Sequence, residues 1–196
     1  MVRVVSCRYL RWSCSEDDHP LFRRHYTRSN RDRGVKFLRC FPHCCPEHVR
    51  RGYCGSSIHV QVTFAAAVSA ATQSSLAVLA RFEPSKCITA RVSGTDVDAD
   101  ERRLLQPGKV VALPASLFDP AARHVAPTTT WIRADREGDR KQQTLPEDAV
   151  LYVLNNHRHP RWLYNYDSST SRARREMTHH LVVYVFLLLN RSSGTG

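Results

Sequence analysis

The sequence predicts an all-β sandwich preceded by a basic N-terminal arm. Three observations lead there. Short runs rich in Val, Ile, Thr, Tyr and Leu recur from residue 57 onward, separated by Gly, Pro, Asn and Asp. Positive charge is concentrated in the first quarter: residues 1–54 hold 12 Arg/Lys against 5 Asp/Glu, and residues 55–196 hold 17 against 13. Finally, 42% of the 196 residues are hydrophobic, enough for a real core and against full disorder.

Residues 1–39 show no clean period. The stretch FRRHYTRSNRDRGVKFLR mixes arginine with aromatics and turn formers and reads as a mobile or partner-ordered arm. Its candidate phosphate-binding groups, together with two arginines slightly downstream, are Arg23, Arg24, Arg28, Arg31, Arg33, Lys36, Arg39, Arg50 and Arg51. Tyr26 and Phe37 are candidates to stack on bases. A basic arm ahead of a near-balanced domain points to a polyanionic partner, RNA above all, bound with strong salt dependence. Arginine outnumbers lysine 25 to 4, which suits phosphate recognition and equally follows from GC-rich coding.

Residues 40–54, CFPHCCPEHVRRGYC, hold four cysteines and two histidines. Cys40, Cys45, His48 and Cys54 have chelating spacings for one zinc ion. Reduced cysteines in a packed turn, or a disulfide, are the other readings. An odd total of seven cysteines excludes a complete intramolecular disulfide set.

The β domain is expected over 55–190, with 191–196 as a tail. SIHVQVTF alternates, with Ile58, Val60, Val62 and Phe64 on one face. Seven further runs follow at 75–82, 86–93, 109–114, 128–133, 148–155, 161–166 and 180–189. Residues 65–80 contain strong helix formers that compete with the second strand, and 98–106 suits one or two helical turns after an Asp cap.

Several classes are excluded or weakened. The acidic loop GTDVDADE fails as a calcium loop, because its sixth position is Glu101 and its twelfth is Pro107. No HExxH, GxSxG, Walker A or GxGxxG pattern occurs, and no acid/base pair stands out, so an enzyme is not expected. The longest apolar run, LVVYVFLLL at 181–189, is too short for a helix to span a bilayer. The N-terminus lacks an apolar signal core, and its early arginines leave mitochondrial import as a minor alternative to the cytoplasm.

A basic arm followed by about eight strands in some 140 residues resembles the layout of small viral jelly-roll coat proteins. WIRADREGDRKQQTLPEDAVLYVLNN and LVVYVFLLLNRSSGTG are similar to segments of the bromovirus, cucumovirus and ilarvirus group of plant RNA viruses. CFPHCCPEH resembles the Cys/His clusters near the arms of ilarvirus-like members, and YTRSN resembles an arginine-centred RNA-binding segment. The resemblance implies an eight-stranded jelly-roll-like sandwich, a capsid subunit that self-associates into a large homo-oligomer and packages RNA, and a location in the virion or host cytoplasm. It also implies that the last apolar strand lies in the core. The rival readings are a ribonucleoprotein component, such as an organellar ribosomal protein, and a viral accessory protein that binds a host protein.

Overall fold

The computed structural model describes residues 2–10, 20–28, 36–42, 56–85, 88, 105, 107–118, 131–157, 160–164 and 178–189. The chain divides into two compact units: residues 1–80, 132–164 and 183–196 form one, and residues 81–131 and 165–182 the other.

Nearly all described regular structure is β. The strands are β1 (Val4–Leu10), β2 (Phe37–Leu38), β3 (Ile58–Phe64), β4 (Leu76–Pro84), β5 (Ile132–Arg136), β6 (Ala149–Leu154), β7 (Trp162–Leu163) and β8 (His179–Leu187). Two helices of one turn, α1 (Ala70–Ser74) and α2 (Asp139–Gln142), interrupt them. The larger sheet has the order β1-β3-β6-β5-β4-β8, and β2 pairs with β7 separately. The pairings β1–β3, β3–β6, β5–β6 and β4–β5 are all antiparallel. The chain is therefore all-β in class. Within the sheet, β3-β6-β5-β4 is a Greek key: three consecutive strands lie side by side, and β3 returns beside the last of them.

Registers follow the hydrophobic pattern. Ile58, Val60 and Val62 stand opposite Leu154, Tyr152 and Val150, so these six side chains share one face. All are buried, at 3% exposure or less. The opposite face of the same strands carries His59 and Gln61. The centre of the sheet is β6, buried along its whole length. A fully buried strand reads as a continuous apolar run, which is what AVLYVL is.

The 65–80 segment resolves into both expected conformations in turn. Ser69 caps α1 by accepting a hydrogen bond from Thr72 N at 3.2 Å, and β4 begins at Leu76. Strand structure also lies within 128–133, 148–155, 161–166 and 180–189, though β5 starts only at Ile132 and β7 has two residues. Residues 109–114 are not a strand. They follow a turn at Gly108 (φ 78°), leave Val110 81% exposed, and lead into a 3₁₀ turn at Ala115–Leu117. Their apolar run has no described strand to pair with. The run at 86–93 and the helix expected at 98–106 fall almost wholly outside the described residues.

Two strands come from the segment read as an arm. β1 pairs with β3 along nearly its full length, from Val4 opposite Phe64 to Leu10 opposite His59. VVSCRYL offered no clean alternation, and as an edge strand it remains largely exposed. β8 also differs from expectation. Among the described residues it ends the sheet order, and it is half-buried, so there it is an edge strand and not a core strand. Tyr184 and Phe186 stack along it with centroids 6.0 Å apart.

In the second unit, Arg81 donates to Glu83 at 2.8 Å, and its guanidinium lies over the Trp131 ring at 4.5 Å. Glu83 is almost fully buried. Ser85 and Thr178 hydroxyls share a 2.6 Å hydrogen bond. No helix among the described residues is long and apolar enough to cross a membrane.

Candidate nucleic-acid interface

The described parts of 20–42 form a layer pinned to the first unit by aromatic side chains. Tyr9 of β1 meets Phe22 edge-on at 5.2 Å, and Phe22 leads to Phe41 at 5.7 Å. Phe41 contacts Tyr26 and Trp162, each at 4.9 Å. Trp162 is fully buried and donates its indole N–H to Ser56 O at 2.9 Å. The Tyr26 hydroxyl donates to Pro42 O and accepts from Arg23 N. Burial pushes the Tyr26 hydroxyl above its usual pKa, against the opposing effect of Arg23.

Backbone pairing completes the layer. Arg28 bridges Leu38, Arg39 N donates to Thr27 O at 2.8 Å, and Tyr164 N donates to Lys36 O at 3.0 Å. Segments 27–28, 36–39 and 161–164 thus lie side by side. The order is imposed by apolar burial, since Phe37, Leu38, Phe41 and Trp162 are all inside.

The cations stand around this apolar centre. Arg23, Arg24 and Arg39 are exposed, and Arg28 and Lys36 are half-buried. Segments 20–28, 36–42 and 160–164 contain no Asp or Glu. Arg24, Lys36 and Arg39 make no ion pair with any described residue. Arg28 lies 6.0 Å above the Tyr164 ring. Arg31, Arg33, Arg50 and Arg51 lie outside the described residues. Sequence reasoning missed Arg161, which the β6–β7 turn delivers to the same layer. Asn155 closes that turn with a left-handed backbone (φ 56°) and donates its side-chain amide to Arg161 O at 2.8 Å. No local motif announces Arg161; only the pairing of β7 with β2 does.

The two expected stacking residues sit in different surroundings. Phe37 is buried in β2 beneath the Arg161 guanidinium, and Tyr26 packs on Phe41. The Phe37 ring is buried, whereas Tyr26 is half-buried.

Of the zinc candidates only Cys40 lies within the described residues; Cys45, His48 and Cys54 lie outside them. Cys40 is half-buried and adopts φ 55°, and a cis peptide joins Phe41 to Pro42. Ser56 N donates to Phe41 O at 3.4 Å, so the chain leaving at Pro42 returns beside its departure point. Among the described residues no three His, Cys, Asp or Glu side chains gather as a metal site.

A second polar cluster lies on the other face of β3. His59 Nε2 is 2.8 Å from Glu137 Oε2, and Lys141 Nζ donates to the same oxygen at 3.0 Å. Burial holds the His59 imidazole below its usual pKa, although the Glu137 hydrogen bond works against this. Burial alone would raise the Glu137 carboxyl, but hydrogen bonds from Lys141, His59 and Gly138 N outweigh it and keep the carboxyl below its usual value. Gln142 extends the cluster by giving and taking hydrogen bonds with the Leu151 backbone, at 2.6 and 3.0 Å. It replaces the pairing that β5 gives up when the chain turns into α2. This arrangement has the character of a structural clasp.

Compared with known proteins, the chain matches no family model, no curated protein and no solved structure.

Proposed function

We propose that this chain is a structural subunit that packages nucleic acid, RNA in particular, through its basic N-terminal layer. The observation that carries this reading is the position of Arg23, Arg24 and Arg39: exposed cations, in segments without an acid, held on an aromatic platform. Such a surface neutralises phosphates without paying to order a floppy chain first.

The capsid-type, jelly-roll part of the reading draws on two further features. A Greek key is the connection from which jelly rolls are built. Both edges of the sheet also present apolar residues: Val5 in β1 is 63% exposed, and Leu187 and Leu189 at the end of β8 are 52% and 66% exposed. Apolar, half-buried edges suit lateral contacts with further copies in a homo-oligomeric shell, in a virion or a host cytoplasm. The reading assigns no catalysis to the chain.

Zinc belongs to the same proposal. A Cys at φ 55° costs about 1 kcal/mol relative to Gly, which its thiol offsets if it serves as a ligand. Ser56 N meets Phe41 O, so Cys40 stands next to where the chain segment carrying Cys45, His48 and Cys54 leaves and returns.

Light scattering on a gel-filtration column, with absorbance at 260 and 280 nm, tests the reading. A megadalton particle rich in 260 nm absorbance that falls apart as salt rises supports it. A monomer or dimer free of nucleic acid at low salt refutes it.

A further inference from the structure

Among the described residues β1 stands at one end of the sheet order, and every residue from Val4 to Arg8 is exposed. Arg3 O accepts a hydrogen bond from Ala65 N at 2.9 Å, so the Arg3 carbonyl faces the β3 side. In a trans peptide the C=O and the following N–H point opposite ways. The Val4 N–H therefore points away from β3, to the outer side. A strand edge of this kind is a row of donors and acceptors that another strand can pair with.

The side chains along this edge are of two kinds. Val2, Val4 and Val5 are 36%, 39% and 63% exposed. Arg3 is exposed, and so is Arg8, which donates to the neutral Gln61 Oε1 at 2.9 Å. Neither arginine forms an ion pair with a described residue. Residues 1–15 contain no Asp or Glu.

These features select the partner. Phosphates offer acceptors only and leave the carbonyls of an open edge without donors, whereas a peptide strand brings both N–H and C=O. Two copies meeting β1 to β1 would gather the Arg3 and Arg8 side chains of both at one seam, and like charges across paired strands repel. A strand bearing carboxylates turns the same arginines into partners, while its apolar side chains cover the valines. The bulge between Val4 and Ser6 bends the edge, and together with the arginines it hinders strands of other composition.

We propose that the outer edge of β1 is a docking site for an extended acidic segment of a partner protein, which adds to the sheet as a further strand beside Val4–Arg8. The proposal stands apart from the nucleic-acid reading above.

Fluorescence anisotropy on the full chain, stripped of nucleic acid, tests it. The probe is a labelled peptide of the length of β1 that alternates Glu and Val. One control alternates Lys and Val. The other is the Glu/Val peptide with its amides N-methylated, which keeps charge and apolar surface but removes the donors. Each control should bind about tenfold more weakly or worse, the loss of a hydrogen bond or a charge pair. Arg3→Glu should weaken the Glu/Val peptide by about tenfold and strengthen the Lys/Val peptide. Val4→Pro should also weaken the Glu/Val peptide with an unchanged circular dichroism spectrum, because β3 does not use the Val4 N–H. If Val4→Pro does not fold, Arg3→Glu decides alone, since the Arg3 side chain is exposed and holds no described ion pair. Equal binding of the N-methylated peptide would overturn the proposal, because charge alone would then hold the probe. Unchanged binding in the folded variants would overturn it too, by putting the peptide elsewhere. So would no binding of the Glu/Val peptide by the wild-type chain at low salt, and RNA binding by the same sample would then show the nucleic-acid reading still standing.

Discussion

Replacing Trp162 should release the basic layer from the sheet. The side chain is fully buried, meets Phe41 at 4.9 Å, and donates to Ser56 O. Trp162→Ala removes the whole indole, and truncations of that kind cost about 3–5 kcal/mol. It also leaves the Ser56 carbonyl without this donor, for about 1 kcal/mol more. Trp162→Phe keeps a ring against Phe41 and loses chiefly the hydrogen bond and part of the volume, so it should cost about 1–2 kcal/mol. Urea unfolding measures both. Limited trypsin digestion with mass mapping then locates the damage, because Arg23, Arg24, Arg28, Lys36 and Arg39 are all potential cleavage sites in the layer. Trp162→Ala should expose these sites under conditions where Arg133 and Arg136 of β5 stay protected, and Trp162→Phe should change them little. If the two variants unfold alike, with no new cleavage in 20–42, the indole is not what pins the layer and the reasoning fails.

Further expectations concern the turn, the clasp, the buried ion pair and the metal. Asn155→Ala should lose about 2 kcal/mol, from left-handed strain plus the bond to Arg161 O, whereas Asn155→Gly should lose only the hydrogen-bond part, by chemical denaturation. Both groups of the His59–Glu137 pair have folded-state pKa values below their usual ones. Below the normal imidazole range the unfolded chain therefore takes up protons more readily, and stability should fall with acidification, first near the usual His pKa and again as Glu137 protonates. His59→Gln should flatten the upper part of that pH profile, and an unchanged profile would show that His59 carries none of it. Arg81→Met removes the 2.8 Å partner of the buried Glu83 and should lower stability in chemical denaturation; a double variant with Glu83→Gln should recover part of the loss. Protein purified without a His tag should carry near one zinc per chain, and a value near zero with no structural loss under chelator would end the zinc proposal.

Which parts of this architecture the sequence revealed follows from where each signal resides. β3 and β6 were legible because their apolar pattern is local: Ile58, Val60 and Val62 alternate, and AVLYVL is continuously buried. β1 was hidden because an exposed edge strand needs no apolar alternation; its partner β3 supplies the order. β8 differs in the opposite sense: the resemblance put it in the core, whereas among the described residues it ends the sheet order and is half-buried. The basic residues of 20–42 were visible as composition, but their anchoring was not. It depends on Phe41 meeting Trp162 across more than a hundred residues of chain. Arg161 was invisible for the same reason, as was the His59–Glu137 contact, which joins β3 to the end of β5. Long-range pairing creates these features, and no local spacing encodes it.

The most direct test of the central claim is the salt dependence of RNA binding by the intact chain. A labelled single-stranded RNA titrated at increasing salt gives the slope of log K against log salt. Three to five phosphate contacts from this layer predict a slope of about −2 to −3.5. Tight binding with a slope near zero, or no binding even at low salt, would contradict a basic surface built to neutralise phosphate.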